Sequence, residues 1–255
     1  MTDDPRPTTV DPRAAALLLA LLAGCTMPFN WFGRKPPPPT PRPSNWESDT
    51  AAGAKAFQEG RLEEAERQLE VARERAASGT NNQPEMAASL VNLAVVRRAQ
   101  GDIAGALQLQ REALAIREKQ LGPEHPDVAT SLNSIAALYS AQDDYAAAAP
   151  LLTRALAIRE KALGPDDRHT AQSLNNLALL YAAEGHYAEA EPLYQRAVAI
   201  FEQRKDSADL ATALENYAAL LEETGRTDAA REMEQRARAL READVRKEKG
   251  VTGDR

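Results

Sequence analysis

Histidine and cysteine are the residues here with the most chemical reach, and both are scarce. His125, His169 and His186 are the three histidines of the 255-residue chain. No two of them have the i, i+4 spacing by which one helix presents two imidazoles to a metal, and none has a cysteine for a partner. Each falls in or beside a segment that reads as a loop between helices, where the expected role is an exposed, non-ligating imidazole. The acidic pairs Glu63-Glu64 and Glu222-Glu223 read as solvated helix faces, not as acid–base pairs. There is no Gly-rich phosphate loop, nucleophile elbow or zinc-protease helix. The expectation is therefore no catalytic centre, no metal, no cofactor and no small-molecule substrate: not an enzyme. The single cysteine, Cys25, excludes an internal disulfide and a multi-cysteine zinc site.

Cys25 closes an apolar run. Residues 14–24 read AAALLLALLAG, 11 residues, where a membrane-spanning helix needs about 20. The run has the length of a secretory signal core. Its end, Leu22-Ala23-Gly24-Cys25, resembles the lipobox of bacterial lipoproteins. The resemblance implies that residues 1–24 are a signal peptide cut before Cys25, with lipid on its thiol and an acyl group on the new amine. Each buried lipid methylene is worth about 0.8 kcal/mol, and several chains hold stably where one does not. Thr26 stands where an Asp would retain such a protein at the inner membrane, so the resemblance points to the periplasmic face of the outer membrane. The segment before the run departs from the pattern: it carries Asp3, Asp4 and Asp11 beside Arg6 and Arg13. The other reading is a lone buried cysteine in a short apolar helix.

Residues 25–46 read as a lipidated cysteine followed by a tether. Pro36-Pro37-Pro38-Pro39, with Pro41 and Pro43, enforces an extended polyproline path. At about 3.1 Å per residue it reaches up to roughly 60 Å. Phe29, Trp31 and Phe32 fit either the lipid interface or local loop packing.

The composition of the whole chain is that of a protein with a folded body. Hydrophobic residues make up 43% and charged residues 27%, while aromatics are only 5%, which favours closely packed helices over a β-sandwich. A formal charge of −7 argues against a general grip on a nucleic-acid backbone. The sequence then repeats itself. Ser131-Leu132-Asn133-Ser134-Ile135-Ala136 recurs 42 residues later as Ser173-Leu174-Asn175-Asn176-Leu177-Ala178, and is anticipated by Ser89-Leu90-Val91-Asn92-Leu93-Ala94. ALAIREK occurs at 113–119 and again at 155–161, each followed by LGP. Leu174, Leu177, Ala178 and Tyr181 follow the i, i+3, i+4, i+7 stripe of a helix; Gly185 breaks it; Ala190, Leu193, Tyr194, Ala197 and Ile200 form a second stripe.

Small residues recur where two helices must approach closely: Ala94, Ala106 and Ala113; Ala136, Ala148 and Ala155; Ala178, Ala190 and Ala197; with Gly53, Ala65 and Ala72 before them and Ala218, Ala230 and Ala237 after. This pattern resembles the tetratricopeptide repeat, and the 42-residue unit with ALAIREKxLGP and SLNNLA resembles its kinesin-light-chain class. The resemblance implies an all-α solenoid of about five antiparallel helix hairpins forming a right-handed superhelical arc over residues 47–247, with 248–255 a disordered tail. The stripes predict helices at 47–59 and 61–78, 85–100 and 102–121, 126–142 and 144–163, 168–184 and 186–204, and 207–224 and 226–247. Gly122-Pro123 and Gly164-Pro165 end second helices, the glycines as left-handed terminators. Pro150 and Pro192 fall inside second helices, so those helices either start late or bend. Glu234 and Arg238 replace apolar residues in the last unit, as an end cap requires.

First helices line the inner side of such a stack, so equivalent side chains form ladders. One ladder is Asn92, Ser134, Asn176 and Asn216; its neighbour is Val91, Asn133, Asn175 and Glu215. Amides both donate and accept, and the resemblance implies that they grip the backbone of a protein or peptide partner. They could equally brace adjacent helices. Arg97 and Arg98 at one end, against Glu215, Glu222 and Glu223 at the other, would orient a bound chain or be unrelated surface charges. The expected function is an outer-membrane-anchored, non-catalytic scaffold for envelope assembly, secretion or cell-wall complexes. The alternative is a structural, self-associating repeat module.

Overall fold

The computed structural model describes residues 46–79 and 82–251. The signal segment, Cys25 and the tether up to residue 45 lie outside the described residues. Among the described residues the fold is all-α, ten helices with no strand, and none of these helices is long and apolar enough to cross a membrane.

The chain divides into two compact units, one ending at Pro165 and one beginning at Asp166. The first holds α1 (Trp46–Gln58), α2 (Leu62–Ser78), α3 (Gln83–Ala99), α4 (Ile103–Leu121), α5 (Pro126–Ser140) and α6 (Tyr145–Leu163). The second holds α7 (Arg168–Ala183), α8 (Tyr187–Arg204), α9 (Ser207–Glu223) and α10 (Thr227–Val251). Within each unit every helix packs on the next, so the elements are antiparallel hairpins placed side by side. The stripes place nearly every helix end to within two residues. The exception is α10, which continues to Val251, into the segment read as a tail.

Hairpins close because methyl-sized residues let two backbones approach. Ala94, Ala106 and Ala113, and their counterparts in the later hairpins, are all buried. In the first hairpin Gly53 takes the slot, and a Cβ there would stand 2.6 Å from Leu69 Cγ. Seams between hairpins are apolar too: Ala56, Ala65 and Leu69 pack with Leu93 and Val96 of the next hairpin. Ala178, Leu179, Ala190 and Tyr194 pack with Leu220 in the second unit. Full burial of one such leucine is worth about 1.5–3 kcal/mol. At the last hairpin Glu234 and Arg238 are exposed.

Helix starts are capped in a repeating way. Asp102 Oδ1 accepts from Gly105 N at 2.8 Å, and Asp144 Oδ1 from Ala147 N at 3.1 Å. His186 stands in the same register at the start of α8 and makes no side-chain cap. Between hairpins Asp167 Oδ1 accepts from His169 N at 2.8 Å. One repeat earlier His125 does the same job, its Nδ1 accepting from Asp127 N at 3.1 Å.

Two local expectations resolve differently from the sequence. α6 begins at Tyr145 and α8 at Tyr187, so neither helix starts late and Pro150 and Pro192 lie inside them. Gly122 and Gly164 do have positive φ (88° and 97°), but ψ of 155° and 163° puts them in the extended region that only glycine favours, not the left-handed helical one. The chain thereby leaves α4 and α6 extended, already directed into the proline that follows.

Candidate protein-binding faces

In the first unit α3 carries Asn92, Arg97 and Arg98, and α5 carries Asn133 and Ser134. Asn92 and Ser134 are half-buried, and Asn133 is buried. Ser134 Oγ donates back to Thr130 O at 3.1 Å, within its own helix. Arg97 is drawn sideways: its guanidinium lies 2.5 Å from Glu66 of α2 and 3.5 Å from Asp102. Gln100 Nε2 donates to the same Glu66 at 2.7 Å. Arg97 thus ties α2 to the hairpin that follows it, and Arg98 beside it is half-buried.

In the second unit α7 carries Asn175 and Asn176, and α9 carries Asn216. Asn216 Nδ2 donates to Asn175 Oδ1 at 3.2 Å, a bond from one first helix to the next. For this pair the bracing role is realised. Asn176, the next residue along, is 8% exposed. The acidic end is also partly engaged. Arg241 of α10 donates to both carboxylate oxygens of Glu215, at 3.2 and 3.1 Å, and to Thr212 Oγ1 at 3.0 Å. Glu222 and Glu223 are exposed.

Flanking ion pairs fix the spacing of these helices. Arg168 Nε lies 2.5 Å from Asp209 Oδ2, which also accepts from Gln172 Nε2 at 3.2 Å. The bond that Arg168 donates to Asp209 holds its guanidinium above its ordinary pKa, against the opposing effect of burial. Glu191 accepts from Arg226 through both oxygens, at 2.6 and 3.0 Å, and from Tyr217 Oη at 2.9 Å. Arg226 above all, then Tyr217, lowers the Glu191 pKa. Tyr217 stacks at 5.9 Å on Tyr194, whose burial raises its phenol pKa.

The histidines serve local structure. His125 caps α5, His169 Nδ1 lies 3.2 Å from Gln172 Oε1, and His186 packs against the Tyr181 ring at 6.3 Å. No group of three or more metal-ligating side chains occurs among the described residues.

Sequence reasoning missed the arginine of the ALAIREK motif. Arg117 Nη1 donates to Ser131 Oγ at 2.7 Å and to the Asp127 carbonyl at 3.4 Å, pinning α4 to the next hairpin; burial lowers its pKa. Arg159, its counterpart, is 6% exposed and donates to Thr130 Oγ1 at 3.3 Å. Ser89, in the register of Ser131, accepts from Trp46 Nε1 at 2.8 Å. The signal was available: the motif's arginine and the serine of the SLN motif recur together, a fixed distance apart.

The family model described as tetratricopeptide repeat matches residues 85–161, 144–203 and 169–243. No curated protein sequence matches the chain. Among solved structures, a kinesin light chain from Podosopora anserina described as putative, with nearly identical TPR-like repeats, is 27% identical over 79% of this chain and 97% of its own, with a TM-score of 0.64. BtubC (BKLC) from P. vanneervenii is 24% identical over 78% of this chain and 80% of its own, with a TM-score of 0.69. Aspartyl phosphate phosphatase F from Bacillus subtilis shares the fold at 16% identity and a TM-score of 0.70, over 78% of this chain and 51% of its own. Hairpins closed by alanine, a 42-residue period and a matching family model over most of the described residues lead to one statement: the chain belongs to the tetratricopeptide repeat family.

Proposed function

We propose that the protein is a lipid-anchored, non-catalytic scaffold that holds protein or peptide partners on the first helices of its hairpins. A tetratricopeptide-repeat body suits protein–protein interaction, because repeated hairpins offer the same side-chain positions over and over along one surface. The observation that carries the reading is the recurrence of amides on first helices, with the half-buried Asn92 as the member best placed to hold a partner's backbone and the more deeply buried Asn176 in the same register. Ser134 is used within its own helix, and Asn175 and Asn216 are used on each other. Arg97 and Arg98 would add charge selectivity.

The Leu22-Ala23-Gly24-Cys25 sequence supports lipid attachment at Cys25. Thr26 supports the periplasmic face of the outer membrane, where the scaffold would serve envelope assembly, secretion or cell-wall complexes. The test is crosslinking and capture from membranes with three proteins: the unaltered chain, Cys25→Ser, and Asn92→Ala combined with Asn176→Ala. Partners lost only with Cys25→Ser depend on the anchor; those lost with the double substitution depend on the amide positions. If the double substitution retains every partner, the amides are not the binding groups. Light scattering that finds stable oligomers of the purified protein would favour self-association instead.

A further inference from the structure

We draw no further inference here: the strongest candidate, the surface patch of exposed leucines Leu121 and Leu163 that stand one repeat apart at the ends of α4 and α6, carries nothing because nothing in the structure shows what covers it.

Discussion

One core slot, four residues after the first buried alanine of the second helix (Ala65, Ala106, Ala148 and Ala190), holds Leu69, Gln110, Leu152 and Tyr194 in successive hairpins. All four are buried, but Gln110 is 4% exposed with its Oε1 lacking a hydrogen-bond partner. An unsatisfied buried carbonyl costs about 1–3 kcal/mol. Leucine fills the same space one hairpin before and one after, so Gln110→Leu needs no new backbone. Loss of whatever the amide nitrogen contributes subtracts up to about 1 kcal/mol. The expected net gain is about 1–2 kcal/mol, a rise of roughly 2–8 °C in melting temperature for a body of this size. The assay is urea and thermal unfolding of the purified protein, with amide hydrogen exchange to locate the gain in α3 and α4. The reciprocal change Leu152→Gln should destabilise, by about 2 kcal/mol or more, since it buries the amide in an apolar slot. An unchanged or lower urea midpoint for Gln110→Leu would refute the claim that the slot wants an apolar side chain.

Other perturbations test the caps, the turns and the ion pairs. His186→Asp should restore the cap that Asp102 and Asp144 make, adding about 1 kcal/mol, while Asp144→Ala should cost a similar amount in the same unfolding assay. Gly164→Ala forces a side chain into a glycine-only conformation and should lose about 1–3 kcal/mol by chemical denaturation. The Glu191 carboxyl has a folded pKa lowered below its ordinary value of 4.5 by Arg226. Its contribution is therefore complete above that value and lost as pH falls through the lowered one. Acid titration of stability should show a shallower decline for Glu191→Gln, and an identical slope would mean that the pair does not couple to folding.

Period and residue size made the fold legible. A repeat of 42 residues with alanine in fixed slots leaves few ways to pack, so both helix order and helix ends could be read. What could not be read was where long polar side chains reach. Asn175 and Asn216 lie on neighbouring first helices, yet nothing in the ladder pattern distinguishes an amide that grips a partner from one that grips the next helix. Arg97 sits on a first helix but is drawn aside by Glu66, some thirty residues earlier in the chain. The same limit hid Arg117, whose hydrogen bonds go to a serine hydroxyl and a backbone carbonyl, with the Asp127 carboxylate acting on it only through space. The backbone of Gly122 and Gly164 was legible in two parts that had to be combined: a glycine just past a helix end signals positive φ, and the proline that follows it excludes helical ψ and favours the extended values of 155° and 163°.

Trp46 gives the hairpin it opens a special status. A row of bricks leaning only on immediate neighbours comes apart by peeling from its outermost member, since that member is supported on one side alone. Among the described residues the hairpin that Trp46 opens is the first, and its indole, bonded to Ser89 of the second brick, rivets the two together. A pull on the chain ahead of Trp46 would therefore meet two bricks at once instead of lifting one turn of helix at a time.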